Sequence, residues 1–160
     1  VPVVTAVEMH NAVMRYYKDC TVIIKAAAVA DFKCATENCQ KIKKKGHIDR
    51  IMLELEKNPD IIGELCQVKG DRIVVGFAAE TENIIEHAVD KLKRKDLDLI
   101  VANNVAEQGI GFGSEQNEVT IIDRSGATKQ VPRMSKDEIA NIILDSVKKL
   151  IKKRRRTGEG

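Results

Sequence analysis

The chain has 160 residues, of which 43% are hydrophobic and 3% aromatic, and its formal net charge is +3. This length is typical of one globular domain, and the scarcity of aromatic residues indicates a core of Val, Ile, Leu and Ala, which favours an α/β fold over a β-sandwich. No secretory leader and no apolar run of about 18 residues is present, which disfavours secreted and membrane proteins.

The first elements predicted along the chain are a strand, a helix and a second strand. Residues 1–4 have the pattern of a strand. Thr5-Ala6-Val7-Glu8 has the spacing of a capping box and begins an amphipathic helix that ends near Lys18. The apolar run over 21–28 predicts a strand that is buried on both faces.

A half-exposed strand and a short helix are predicted next. Apolar and other residues alternate over 51–56, as they do in a strand with one solvent-facing side. Asn58 is the predicted N-cap of the short helix, Pro59 fits its first turn, and Asp60 complements the helix dipole. The remaining predicted elements are a strand over 72–77, a helix over 80–95, a strand over 97–102, a hairpin of 118–123 and 129–131, and a last helix that begins at the capping box Ser135-Lys136-Asp137-Glu138. This βαβαβ order predicts a mostly parallel sheet.

The cysteines and histidines give no pattern of a metal or redox site. The four cysteines show no CxxC spacing, so we expect reduced thiols and a cytoplasmic protein. The histidines show no ligand spacing either, and no set of nucleophile, base and orienting group is apparent. The Gly-rich segment 109–114 does not match a dinucleotide fingerprint, because its sixth residue is Ser114 and no helical pattern follows.

The residues just after each predicted parallel strand are the candidates for ligand binding, since ligands of open α/β sheets bind beyond the carboxyl ends of the strands. Asp31 follows the first apolar run and is suited to a hydroxyl group or Mg²⁺, although it also fits a chain-turning residue. Phe77 ends the strand predicted over 72–77 and has the size to line a base, although such a residue taken alone more often belongs to the core.

Lysines accompany these strand ends. Four of them, Lys41, Lys43, Lys44 and Lys45, lie in the loop after Asp31, which suits a polyphosphate but also an ordinary solvated segment. Lys91 and Lys95 are four residues apart and therefore share a helix face, where surface pairs with Glu86 and Asp90 are the alternative.

The segments AAAVADF, KIKK, KNPDII, GFAAET, KLKRKDLDLIVANNV and GFGSEQN, in this order, closely resemble the phosphopantothenoylcysteine synthetase domain family of coenzyme A biosynthesis. The resemblance covers about residues 3–151, so we expect a ligase domain over 1–151 and a basic, disordered tail over 152–160. It implies a Rossmann-like three-layer sandwich with a mostly parallel sheet, a lysine-bearing flap, and a C-terminal hairpin and helix.

The resemblance also implies an activity. The family activates the carboxylate of 4'-phosphopantothenate with CTP, or with ATP in eukaryotic relatives, assisted by Mg²⁺, and the cysteine amine then displaces the nucleoside monophosphate. The bacterial style of the flap and of KNPDII favours CTP here. In bacteria the domain usually follows a flavin-dependent decarboxylase, so FMN is expected only in that other half. The resemblance further implies a homodimer that binds neither nucleic acid nor membrane.

The same resemblance assigns roles to single residues. Asp31 and Lys41 match a nucleotide-contacting aspartate, which could also hold the metal, and the flap lysine. Pro59, Asp60, Ile61 and Ile62, together with Phe77, match the contacts near the base. Lys91 and Lys95 match lysines near the phosphates. Ala27 matches a position near the acyl phosphate.

The chain departs from the family pattern at its beginning. The family starts with a strand, a GGT turn and an Asn-x-Ser-Ser-Gly segment that binds phosphates, and the sequence does not contain them. We therefore expect a domain that is incomplete at its N-terminus. Two alternatives are a nucleotide-binding or interaction module without catalysis, and a nucleic-acid-binding protein that uses the basic tail.

Overall fold

The computed structural model describes residues 1–36, 40, 50–80, 82–104 and 115–157. Its elements are α1 Ala6–Tyr16, a 3-10 turn Tyr17–Asp19, β1 Val22–Lys25, β2 Phe32–Cys34, β3 Leu55–Lys57, α2 Ile61–Gln67, β4 Ile73–Glu80, α3 Ile84–Arg94, β5 Leu99–Asn104, β6 Gln116–Asp123, β7 Thr128–Ser135 and α4 Lys136–Thr157. Five strands form one sheet in the order β1-β4-β5-β6-β7, and β2 pairs with β3 in a separate two-stranded sheet.

The main sheet is mixed. β1, β4 and β5 are parallel to one another, whereas β6 and β7 are antiparallel and form the predicted C-terminal hairpin. Lys25 at the end of β1 lies opposite Gly76, and Ala78 lies opposite Ala102. The carboxyl ends of the three parallel strands therefore meet at one edge of the sheet.

Apolar side chains cover both faces of the main sheet. Leu65 of α2 and Leu92 of α3 pack with Ile100 on one face. Ile143 of α4 packs with Val101 on the other face. These two clusters form the hydrophobic core. Burial of each such side chain contributes about 1.5–3 kcal/mol to folding. The predicted α/β, Rossmann-like fold with helices on both faces of the sheet is confirmed.

The start of the chain differs from its prediction. Residues 1–4 form no strand, and the side chain of Val4 is exposed. The predicted strand over 21–28 is shorter, and its burial on both faces is wrong, because Ile24 is 40% exposed. Within the described residues β1 pairs only with β4, so it forms an edge of the sheet.

Side-chain caps fix the beginnings of several helices. The Glu8 N–H donates to Thr5 Oγ1 at 3.1 Å and the Thr5 N–H donates to Glu8 Oε2 at 3.1 Å, which confirms the first capping box. The prediction of Asn58 as the cap of α2 is wrong. Asp60 has that role, since its Oδ1 accepts from the Gly63 N–H at 3.1 Å.

The last helix is longer than its apolar stripe predicts. α4 continues to Thr157, so the expectation of a disordered tail over 152–160 is corrected for residues 152–157. Basic residues are good helix formers and are favoured in a last turn, and Arg154 also donates to the Asp98 carboxylate and the Asp71 carbonyl. Among the described residues no helix has the length and apolar character that crossing a membrane requires.

Candidate functional site

A cleft of about 630 Å³ lies at the carboxyl edge of the parallel strands, between the end of β1, the segment before α2, and one face of α3. Five Lys or Arg side chains and three carboxylates line it. The charged and titratable lining residues are Lys25, Asp31, Lys57, Asp60, His87, Asp90, Lys91, Arg94 and Lys95. A cleft with this excess of positive charge is suited to a polyanion.

The backbone at Asp31 is held in place by Asn58. The Asn58 N–H donates to the Asp31 carbonyl at 2.8 Å, and Asn58 Nδ2 donates to the Ala30 carbonyl at 2.9 Å. Asn58, which directly follows β3, thus holds the segment before β2. These bonds place the Asp31 carboxylate at the cleft, where the sequence analysis expected a nucleotide or metal contact.

Asp60 connects α2 to α3 inside the cleft. Besides capping α2, its carboxylate forms an ion pair with Lys95. Burial alone would raise the pKa of Asp60, but the hydrogen bonds from Lys95 and the Gly63 N–H, with the attraction of Lys95 and Lys57, lower it below its ordinary value. Asp60 is therefore a carboxylate at neutral pH, and Lys95 already has an anionic partner.

The structure places the side chains of Lys91, expected near the phosphates, and Phe77, expected near the base, on different sides of the sheet. Lys91 lines the cleft, and its Nζ donates to the Phe77 carbonyl at 3.0 Å. The side chain of Phe77 instead packs with the cluster on the α4 face of the sheet. Phe77 thus meets the cleft residues through its backbone.

The other predicted site residues fall into two groups. Pro59, Ile61 and Ile62 line the cleft beside Asp60. Ala27 follows β1, and its carbonyl accepts a hydrogen bond from Lys25 at 3.0 Å. The predicted flap residue Lys41, like its neighbours Lys43 to Lys45, lies outside the described residues.

Several cleft residues were not predicted from the sequence. Lys25 ends an otherwise apolar strand at the carboxyl edge, and this position alone was a signal that could have identified it. Lys57, His87 and Arg94 carry no such signal, because only the folded chain brings them to the same cleft.

Metal binding by the protein alone has no support in the part of the chain that the structure describes. No group of three His, Cys, Asp or Glu side chains there could hold an ion. Mg²⁺ at nucleotide sites commonly has one or two protein carboxylates and takes its other ligands from phosphates and water. Asp31 fits such a partial site.

The chain matches one protein family over most of its length. The family is the DNA/pantothenate metabolism flavoprotein C-terminal domain, and its model matches residues 1–151. A bifunctional coenzyme A biosynthesis protein, CoaBC, of Bacillus subtilis is 43% identical over 159 residues, which are 99% of this chain and 38% of the relative. CoaBC of Escherichia coli K12 is 40% identical over 149 residues, which are 92% of this chain and 36% of the relative. The chain thus spans less than two fifths of these relatives.

Solved structures show the same fold. The crystal structure of the C-terminal domain of a CoaBC protein superimposes with a TM-score of 0.77 at 31% identity, and the match covers 96% of this chain and 66% of that one. A DNA/pantothenate metabolism flavoprotein from Streptococcus pneumoniae matches with a TM-score of 0.73 at 18% identity, over 92% of this chain and 71% of that one. The second match is a likeness of fold.

Proposed function

The chain belongs to the family of the DNA/pantothenate metabolism flavoprotein C-terminal domain, and we propose that it contributes to coenzyme A biosynthesis as a ligase domain. The proposed reaction is the CTP-dependent ligation of 4'-phosphopantothenate to cysteine. A carboxylate oxygen of 4'-phosphopantothenate attacks the α-phosphorus of CTP and pyrophosphate leaves. The cysteine amine then attacks the acyl carbon, loses a proton, and displaces CMP.

The observation that carries this proposal is the cationic cleft at the carboxyl edge of the sheet. Attack of a carboxylate on a triphosphate brings two anions together, so the site must supply positive charge where negative charge accumulates. Lys91 and Lys95 lie on the cleft face of α3 and are suited to this role. Asp31 is the carboxylate suited to Mg²⁺, which when bound would neutralise phosphate charge.

The remaining proposed contacts concern the nucleoside and the acyl group. Pro59 to Ile62 form a wall of the cleft against which a base can pack. We assign the polar contacts of this wall to backbone groups and to Asp60. Ala27 is assigned to the acyl phosphate, and its small side chain leaves the backbone accessible. Lys41 is assigned to the flap on the basis of the family resemblance, and so is a base-side role for Phe77.

The test of nucleotide binding is calorimetric titration of the chain with CTP and, separately, with ATP, both with Mg²⁺. We expect CTP to bind more tightly than ATP, and Asp31→Asn to weaken CTP binding about tenfold, the order expected for a lost charged contact. Asp145→Asn, at an exposed carboxylate of α4 that pairs with Lys148, is the control with unchanged affinity. Absence of CTP binding by the unaltered chain contradicts the proposal.

A nucleotide-binding module without catalysis is the second candidate, because the cationic cleft by itself would account for binding of a nucleotide. This candidate predicts CTP binding without release of pyrophosphate when 4'-phosphopantothenate and cysteine are added. Binding of nucleic acid through α4 would instead appear as salt-sensitive affinity for an oligonucleotide, and we expect none. Residue Arg154 of that helix already contacts the Asp98 carboxylate.

We also propose self-association and a cytoplasmic location, as the family resemblance implies. Several large apolar side chains in and beside the β2–β3 sheet are exposed, and clustered exposed apolar residues are typical of interaction sites. The exposed apolar residues are Phe32, Ile51, Met52, Leu53 and Leu55. A second copy that pairs through the same surface would cover them symmetrically. Sedimentation velocity tests this, with a dimer expected and a monomer at all concentrations contradicting it.

A further inference from the structure

Lys25 and Lys91 bring two ammonium groups to the same end of the sheet, and among the described residues each donates to a backbone carbonyl. Lys25 is the last residue of β1, and its Nζ donates to the Ala27 carbonyl at 3.0 Å. Lys91 approaches from α3, and its Nζ donates to the Phe77 carbonyl at 3.0 Å. Both side chains line the cleft. Each ammonium thus donates to a neutral backbone carbonyl, that of Ala27 just after β1 and that of Phe77 within β4.

The charge of Lys91 acts on Lys25. Burial lowers the pKa of Lys25, and the charge of Lys91 lowers it further, while Asp60 and Asp31 act in the opposite direction. Asp60 is itself paired with Lys95. The remaining ionisable groups that line the cleft are Lys57, His87, Asp90 and Arg94.

Such an arrangement favours a bound phosphate. Two like charges that are partly removed from water repel each other, and an anion placed between them turns this repulsion into attraction. A phosphate oxygen also makes a stronger, charge-assisted hydrogen bond with an ammonium than a neutral carbonyl does. A phosphate oxygen would therefore be a stronger partner for Lys25 than the Ala27 carbonyl is.

We propose that Lys25 is a phosphate-binding residue of this cleft and acts with Lys91 on the polyphosphate of a nucleoside triphosphate. This inference rests on the proposed function for the identity of the nucleotide, but not for the phosphate chemistry. It adds an ammonium on β1 to those on α3, so the polyphosphate is contacted from two sides. Neither the apolar pattern of β1 nor the family resemblance had assigned this residue a role.

The direct test uses inorganic tripolyphosphate as the probe, with binding measured by calorimetry. Lys25→Met is expected to weaken tripolyphosphate binding about tenfold, as loss of one charge-assisted hydrogen bond does. Lys25→Arg should restore most of the affinity because it keeps the charge. Lys148→Met, on an exposed part of α4, is the matched control and should bind as the unaltered chain does. Equal affinity of Lys25→Met and the unaltered chain overturns the proposal.

A second measurement needs no substitution at Lys25. Limited acylation with acetic anhydride, read by mass spectrometry of peptides, reports the reactivity of each lysine amine. We expect tripolyphosphate to protect Lys25 several-fold and to leave Lys148 unchanged. CMP and 4'-phosphopantothenate, which carry one phosphate group each, should protect Lys25 less than tripolyphosphate does. Absence of protection by tripolyphosphate overturns the proposal even if the variants fail to fold.

The outcomes separate this inference from the proposed function. One outcome is that tripolyphosphate binding depends on Lys25 but the chain releases no pyrophosphate from CTP when 4'-phosphopantothenate is present. That outcome would support the phosphate-binding role and contradict the ligase. Ligase turnover with an unchanged KM for CTP in Lys25→Met would support the ligase and contradict the role of Lys25.

Discussion

The buried carboxylate of Asp98 offers a test of how the ends of the sheet are held together. Asp98 is 3% exposed, and its Oδ2 accepts from the Val74 N–H at 2.9 Å and from Lys69 Nζ at 3.2 Å. Its Oδ1 accepts from the guanidinium group of Arg154 at the end of α4. One side chain thus connects β4, β5 and α4.

Asp98→Asn keeps the size of the side chain and removes its charge. Breaking a buried ion pair by altering one partner costs about 3–5 kcal/mol, because the other charge is left without compensation. Lys69, which is 5% exposed, keeps a second carboxylate, Asp96, at 3.2 Å, so we expect the lower end, about 3 kcal/mol. At about 2–4 °C per kcal/mol for a chain of this size, the Tm should fall by about 6–12 °C.

Urea denaturation followed by circular dichroism measures the free energy of unfolding of the unaltered chain and of Asp98→Asn. Asp145→Asn is the matched control, because it removes an exposed carboxylate that pairs with Lys148 at 3.0 Å and should cost about 0.5 kcal/mol or less. A loss below about 1 kcal/mol for Asp98→Asn would refute the reasoning that this buried carboxylate compensates the charges around it.

Three further predictions concern the cleft and the core. The pKa of Asp60 is lowered in the folded state, so the stability it contributes is present above its ordinary pKa of 3.8 and is lost as the pH falls through the lower, folded-state pKa. Asp60→Asn should therefore lose most stability at neutral pH. The difference in free energy of unfolding between this variant and the unaltered chain should shrink when denaturation is measured at increasingly acidic pH. Gly76→Ala would place a Cβ 2.7 Å from a buried leucine methyl group, so we expect a loss of about 1–3 kcal/mol in urea denaturation, and an unchanged midpoint would contradict this packing. Burial raises the pKa of the Cys66 thiol to about 11, so iodoacetamide at pH 8 should alkylate the exposed Cys34 well before Cys66 in the folded protein, and equal rates by mass spectrometry would contradict the buried placement.

Local signals in the sequence predicted the features that depend on a few neighbouring residues. Both capping boxes are present, since Glu138 and Ser135 exchange the same pair of hydrogen bonds as Thr5 and Glu8 do. The hairpin of β6 and β7 was likewise predicted from a local signal, two short strand patterns joined by a turn. Side chains three residues apart meet at a helix start whatever the rest of the chain does.

Features that depend on distant partners could not be predicted in this way. Asn58 is a residue type that often caps helices, but it binds the backbone carbonyls of Ala30 and Asp31. Asp60 caps α2 instead. The basic end of α4 has the composition of a solvated tail, but it extends as a helix because Arg154 reaches Asp98. Tertiary contacts decided both cases.

The candidate site shows the same division. Asp31 and Lys91 were predicted from strand ends, helix spacing and a family resemblance, and the structure brings both to the cleft. Lys25 was not predicted, although its place at the end of an apolar strand was a signal, because only the folded chain brings it to the same cleft as Lys91. Lys91 lies 66 positions further along the chain.

The measurement that tests the ligase proposal most directly is pyrophosphate release from CTP by the chain, with Mg²⁺, in the presence and absence of 4'-phosphopantothenate. The proposal predicts release only when 4'-phosphopantothenate is present, and formation of CMP and the cysteine conjugate, detected by mass spectrometry, once cysteine is added. CTP binding without any release dependent on 4'-phosphopantothenate would contradict catalysis by this chain and favour the nucleotide-binding module.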